Sequence, residues 1–113
     1  MPERARKEQA PSMPTYVSLM NWTEQGIGSV RDAVGRERTD AVAQRFGARL
    51  ERIYWTVGPY DLVGIIEAPD EESATAFLLE PGSYGNIRTT TLRAYDSDEM
   101  SRIIEKLGPA PGT

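Results

Sequence analysis

The sequence contains no cysteine and no histidine. The first absence excludes disulfides, thiolate metal sites, iron–sulfur clusters and cysteine nucleophiles, and it leaves the redox compartment open. The second removes the usual haem and zinc ligand and the side chain that titrates nearest neutrality, so most familiar catalytic triads cannot be assembled from this chain. No metal site and no cofactor is expected. No stretch approaches ~18 apolar residues and no apolar segment follows the basic N-terminal residues, so we expect neither a membrane span nor a secretory signal. A cytoplasmic protein is the default. Positive charge is also short: 13 Lys and Arg face 17 Asp and Glu, a net charge of -4. Broad attraction to nucleic acid or anionic lipid is therefore not expected. At 113 residues there is room for one compact domain and not for two.

The ends are poor in apolar residues. Residues 1–12, MPERARKEQAPS, are charged and carry two prolines, so they bury too little surface to offset their ordering entropy and read as a disordered extension. Residues 13–107 form the expected folded domain. Gly108, Pro109, Pro111 and Gly112 mark residues 108–113 as a flexible tail.

Between these ends the pattern changes six times. TYVSLMNW, from Thr15, is β-branched and aromatic and alternates Val17 and Leu19 with Tyr16, Ser18, Met20 and Trp22, which predicts a strand. Thr23 suits a helix N-cap, with Glu24 in the first turn and Ile27, Val30 and Val34 on one face. Gly26 and Gly28 weaken that helix and Gly35 interrupts it. A second helical stretch carries Ala41, Val42, Ala43 and Phe46 and stops at Gly47. ARLERIYWTV then predicts an edge strand, with Ile53, Trp55 and Val57 on one side and Leu50, Arg52, Tyr54 and Thr56 on the other. Gly58, Pro59, Tyr60 and Asp61 form a reversal, because proline presets φ for a turn, and DLVGIIEA returns as a central strand. Asp70 caps a helix that starts with Glu71 and Glu72, buries Ala74, Phe77 and Leu78, and ends at Pro81 and Gly82. IRTTTLRAY is a second edge strand. Asp96 or Ser97 caps a last helix whose Met100, Ile103, Ile104 and Leu107 repeat at helical spacing and predict an amphipathic cover.

Strand, helix, strand, strand, helix, strand is the order of ferredoxin-like α+β folds. It predicts a βαββαβ antiparallel four-stranded sheet with helices on one face, plus the C-terminal helix. The other face stays open. We expect Tyr16, Ser18, Met20, Trp22, Tyr54, Thr56, Thr89 and Thr91 to line it, and a second copy of the chain to cover so aromatic a surface.

Three longer runs, PTYVSLMNWTEQGI, YWTVGPYDLVGIIEAPD and GNIRTTTLRAY, resemble the GYD domain family, whose namesake residues match Gly58, Tyr60 and Asp61. The resemblance spans about Met13 to Tyr95. It implies the dimeric α/β-barrel variant of the fold, in which two sheets meet face to face, and it brings no settled catalytic residues. The Glu80–Pro81–Gly82 stretch, Gly28 and Gly35 depart from the family's usual helices.

The candidate ligand-binding residues are Asn21, Trp22, Tyr54, Tyr60, Asp61, Thr89, Thr91 and Arg93. Tyr60 beside Asp61 offers a phenol and a carboxylate for positioning a polar ligand or moving a proton. An aspartate in a turn more often binds backbone amides, so we prefer a structural role. Arg88 and Arg93 flank three threonines and suit a carboxylate or phosphate. Alternation puts Thr89, Thr91 and Arg93 on one face and Arg88 and Thr90 on the other. The simpler expectation is an edge strand whose arginines pair with Asp61, Glu67 or a partner subunit. Asn21, Trp22, Tyr54 and Trp55 offer a wall for a planar or apolar ligand, although aromatic residues at strand ends are more often core or interface.

Composition and pattern point first to a homo-oligomeric module that binds a small organic molecule. The alternative, by fold analogy, is a cofactor-independent isomerase or oxygenase with Asp61, Glu67 or Tyr60 moving protons. RNA-recognition domains share the strand order, but the acidity and the absence of aromatic residues before Tyr95 in IRTTTLRAY argue against RNA.

Overall fold

The computed structural model describes residues 13–28, 36–83 and 85–112. The expected N-terminal tail and Val30, Val34 and Gly35 lie outside the described residues. In chain order the elements are β1 (Thr15–Trp22), α1 (Glu24–Gly28), α2 (Arg36–Arg45), β2 (Arg49–Trp55), β3 (Leu62–Glu67), α3 (Glu71–Ser83), β4 (Ile87–Ala94) and α4 (Ser97–Glu105). The strands form one four-stranded sheet in the order β2-β3-β1-β4, antiparallel throughout. This is the expected ferredoxin-like arrangement, with apolar β3 inside and the charged β2 and β4 at the edges.

The helix starts follow the caps. The Thr23 hydroxyl accepts from the Gly26 amide at 3.0 Å, and the Asp70 carboxylate from the Ser73 amide at 2.7 Å. At α4 the cap is Asp96, in a reciprocal capping box with Glu99. α3 runs to Ser83, one residue past the expected stop at Pro81 and Gly82. A proline near the end of a helix forfeits one backbone hydrogen bond, and its fixed φ remains helical, so the final turn survives it.

The core lies between the sheet and the two main helices. Tyr16, Leu50 and Ile66 from the sheet meet Ala43 of α2 and Ala74, Phe77 and Leu78 of α3. An Arg45–Glu80 ion pair at 3.2 Å links the two helices. Across the strands Tyr16 pairs with Ile66 and Arg93, Ser18 with Gly64 and Thr91, and Met20 with Leu62 and Thr89. All three β1 residues are buried beneath the helices. The sequence-based choice of face for β1 is therefore inverted, and Tyr16, Ser18, Met20, Trp22, Thr89 and Thr91 belong to the helix side. Ser18 is fully buried with its hydroxyl bonded to that of Thr89 at 3.3 Å, and Gly64 opposite it leaves the space that Met20 and Leu50 fill.

A second correction concerns β2. A bulge between Leu50 and Arg52 places Leu50 opposite Ile66, so Leu50 leaves the pattern of strict alternation and joins Ile53 and Trp55, opposite Gly64 and Leu62, on the helix side. A third concerns α4, which covers nothing. None of its residues is buried, and Met100, Ile104 and Leu107 are exposed. The helix side of the sheet is already occupied by α2 and α3, and α4 is fastened at the β4 edge by an Arg93–Glu99 ion pair at 2.8 Å.

Gly26 has a reason to be glycine that helix propensity conceals. A Cβ there would lie 2.0 Å from the Asn86 carbonyl oxygen, in the loop that leads to β4. At Gly28 a Cβ would meet nothing within 4 Å. We expect Gly26→Ala to lower stability by about 1–3 kcal/mol, the usual cost of overpacking, while Gly28→Ala changes it by less than about 0.5 kcal/mol. Urea denaturation of both variants measures the contrast.

Candidate functional site

The candidate residues separate into two clusters at opposite ends of the sheet. The first forms where β1 ends against the β2–β3 turn. Gly58 takes a φ of 137°, open to glycine and strained for other residues, and this turns the chain toward Pro59 and Tyr60. The Asp61 carboxylate accepts from the Trp22 amide at 2.9 Å, while its own amide donates to the Met20 carbonyl at 2.9 Å. Asn21 donates from its side-chain amide to the Pro59 carbonyl at 2.8 Å. Thr56 closes the turn from the other side, its hydroxyl donating to the Tyr60 carbonyl at 2.7 Å and its amide to the Asp61 carbonyl at 2.8 Å. Asn21, Trp22, Tyr60 and Asp61 are therefore brought together. Their bonded groups form a latch that fastens the hairpin to the end of β1.

The second cluster lies on the helix side at the far end of β4. The Arg93 guanidinium stands over the Tyr95 ring at 4.5 Å and the Tyr16 ring at 5.7 Å. It also bonds to Glu99 at 2.8 Å and to the Ala94 and Thr15 carbonyls. Thr89 and Thr91 share a hydroxyl hydrogen bond at 3.0 Å and continue to Ser18. The expected partners of the arginines thus change. Glu67 pairs with Arg49 instead, and Asp61 serves the latch.

Charge follows these contacts. The Arg93 side-chain hydrogen bond, helped by the Asp96 amide, holds the Glu99 carboxyl below its ordinary range. The same contact raises Arg93, and the hydrogen bond that Arg49 donates to Glu67 raises Arg49. Burial, with Glu71 second, pushes the Tyr16 hydroxyl up. Among the described residues no group of three His, Cys, Asp or Glu is placed to hold a metal ion.

Tyr54 stands apart from both clusters, half exposed on the open face. Cross-strand pairing builds that face in rows. Arg52, Ile65, Val17 and Leu92 make one, and Tyr54, Val63, Leu19 and Thr90 the next. Arg49, Glu67, Thr15 and Ala94 lie beyond at one end, and Asn21 and Arg88 at the other. The result is an apolar centre with a polar rim. Sequence reasoning missed this surface because Val17 and Leu19 look like core. The register that places Tyr16 opposite Ile66 is what reverses the choice.

A family model described as GYD domain matches residues 16–104. The chain belongs to the GYD family. The glutamine synthetase and cystathionine beta-lyase binding protein of Thermus thermophilus is 34% identical over 96 residues, which cover 80% of this chain and 99% of that protein. No solved structure matches the chain significantly. Within this GYD protein the namesake glycine, tyrosine and aspartate are the turn of the latch.

Two predictions follow from the clusters. Asp61→Ala removes a charged acceptor from the Trp22 amide and should lower stability by about 1–3 kcal/mol, with Asp61→Asn milder because it keeps an oxygen there. Tyr60→Phe should stay within about 0.5 kcal/mol, since only the Tyr60 backbone carbonyl takes part in the latch. Denaturant midpoints test all three. Glu99, with a depressed carboxyl, adds stability that is present above its unfolded value near 4.5 and is lost as pH falls through the lower folded value. The pair is partly exposed, so its loss should amount to less than about 1 kcal/mol. Amide protection factors in α4, which correct for the intrinsic slowing of exchange in acid, should fall on acidification in this range, and Glu99→Gln should flatten that response.

Proposed function

We propose that this GYD protein is a homo-oligomeric binding protein whose open sheet face is covered by a second copy and whose assembled form docks on metabolic enzymes in the cytoplasm. The open face carries the first part. Val17, Leu19, Val63 and Ile65 are only half-buried there and Leu92 is exposed, while Arg49, Arg52 and Arg88 lie around them. An apolar patch ringed by polar groups is the usual anatomy of a protein interface. No helix among the described residues is long and apolar enough to cross a membrane.

The second part comes from the relative, whose name states that it binds glutamine synthetase and cystathionine beta-lyase. Partner binding also suits the candidate residues. A carboxylate base would have to be free, and the Asp61 carboxylate accepts from the Trp22 amide. The cofactor-independent enzyme is accordingly the weaker alternative. A small-molecule site remains a second reading because Tyr54, Asn21 and Thr90 share the open face and would line a space between two sheets.

Sedimentation and calorimetry test both parts. The wild-type chain should be dimeric or larger at micromolar concentration, and Leu92→Arg, an exposed change at the apolar centre, should drive it toward monomer. Glutamine synthetase or cystathionine beta-lyase from the same organism should bind the wild-type protein with a dissociation constant of about 10 µM or tighter. A monomeric wild type refutes the assembly, and no binding to either enzyme refutes the docking role. A small organic molecule retained in native mass spectra of the dimer would favour the second reading.

A further inference from the structure

The C-terminal helix is well begun and poorly used. Its capping box and the Arg93–Glu99 pair fix its first turn, yet it has no buried residue. A nine-residue helix is marginal on its own, and most helical stability comes from packing an apolar face. Met100, Ile103 and Ile104 make such a face, with Leu107 in the turn that follows, where its amide donates to the Ile104 carbonyl. At about 100° per residue the four fall within an arc of about 100°, the i, i+3, i+4, i+7 stripe by which one helix packs on another element. Met100, Ile104 and Leu107 are exposed.

Its own sheet does not take up this stripe. The helix side is filled by α2 and α3, and Glu99, which ties α4 to β4, lies about 90° around the helix from the stripe. A copy stacked on the open face does not meet it either. Arg93 pairs across from Tyr16 and so anchors α4 on the helix side of the sheet. A lipid surface is a poor match, because an interfacial helix is rich in Lys and Arg, and this one carries Asp98, Glu99 and Glu105 against Arg102 and Lys106.

Charge selects the occupant. Glu99 and Lys106, seven residues apart, flank the stripe on the same side, and among the described residues no ion pair takes up the Lys106 ammonium. The other flank is small and uncharged, Ser97 and Ser101. When two copies of the helix lie antiparallel about a two-fold axis, Met100 comes level with the partner's Leu107 and Ile103 with the partner's Ile104. Lys106 then stands within about 3 Å, along the helix axis, of the partner's Glu99. A parallel pair would instead set Lys106 against Lys106 and Glu99 against Glu99. Such exposed charges add little energy, and they decide orientation.

Size then says which copies meet. Two helical segments about 16 Å long and about 10 Å wide share only roughly 160 Å² in projection, far below the about 800 Å² per partner of a standard interface. The helix contact therefore joins copies already paired through their open faces. In a tetramer with perpendicular two-fold axes it forms twice at once.

We propose that α4 packs antiparallel on the α4 of another copy of the chain, stripe against stripe, and so joins two open-face dimers into a tetramer. The dimers rest on the sheet-to-sheet assembly proposed above, while the helix contact uses a different surface. The absence of cysteine makes a clean test available. Full-length Ile104→Cys and Asp98→Cys, the second on the opposite side of the helix, are oxidised mildly at the same concentration. Across an antiparallel pair position 104 faces its own copy within disulfide range, so Ile104→Cys should give a covalent dimer and Asp98→Cys should not. By sedimentation equilibrium the wild type should be a tetramer, and Ile104→Glu should raise the tetramer–dimer dissociation constant at least about tenfold. Lys106→Glu should shift the same equilibrium in the same direction. Crosslinking that is equal at both positions, or a wild-type dimer with no crosslink at position 104, overturns the helix pair alone. Loss of binding to glutamine synthetase or cystathionine beta-lyase by Ile104→Glu, with its mass unchanged from wild type, also overturns it and gives the stripe to the enzyme. Leu92→Arg reads the other contact: a mass unmoved by that change, with the position 104 crosslink retained, refutes the stacked sheets and leaves the helix pair standing. A monomeric wild type removes both.

Discussion

One constraint governs the molecule: a sheet has two faces, and the helices cover one. Tyr16, Leu50 and Ile66 commit the covered face to α2 and α3. The alternation of a strand then obliges Val17, Leu19, Val63 and Ile65 to point the other way. These residues are too apolar to be a solvated surface and too regular to be an accident of composition. The described residues thus include one side of a second layer and no element that covers it. Burying apolar side chains contributes roughly 1.5–3 kcal/mol each when complete, so a chain that leaves these four partly wet lacks much of the stabilisation available to it.

The family signature serves that same constraint. Gly58, Tyr60 and Asp61 form the turn that returns β3 to the centre of the sheet, and the Asp61 carboxylate holds the Trp22 amide just where β1 ends. Without that contact the end of β1 would leave a backbone donor to solvent and the hairpin would lose its fixed angle to the sheet. A motif of this kind fixes a turn by its geometry. The polar groups that looked chemical in the sequence, Asp61 and Arg93 above all, have their hydrogen bonds directed at backbone and at neighbouring side chains.

Much of the fold was legible in the sequence, and its failures have definite causes. Element order, caps and the central position of β3 follow from local patterns: Thr23 before a helix, Asp70 before another, and Leu62 to Ile66 as the least polar strand. The choice of face was not local. Ser18 and Met20 look more like surface than Val17 and Leu19 do, and the assignment reverses once Tyr16 lies opposite Ile66 and the Ser18 hydroxyl finds that of Thr89 under the helices. The bulge after Leu50 shifts one residue and so moves Leu50 to the opposite side, an event without a sequence signature. The same holds for the candidate site. Asn21, Trp22, Tyr60 and Asp61 were recognised as separate strand-end and turn residues, while the bonds that join them span almost forty positions of chain.

The corners of the sheet carry the reasoning one step further. In a ferredoxin-like order each edge strand ends at a different end of the sheet, so whatever follows β4 and whatever follows β2 are kept apart by the full diagonal. An apolar helix after β4 and an apolar hairpin after β2 therefore cannot satisfy each other within one chain. Both also lie on the helix side by register, Trp55 opposite Leu62 and Arg93 opposite Tyr16, so a partner stacked on the open face does not bring them together either. The open face on one side and the hairpin and terminal helix on the other are separate apolar surfaces, kept apart by the order and the register of the strands.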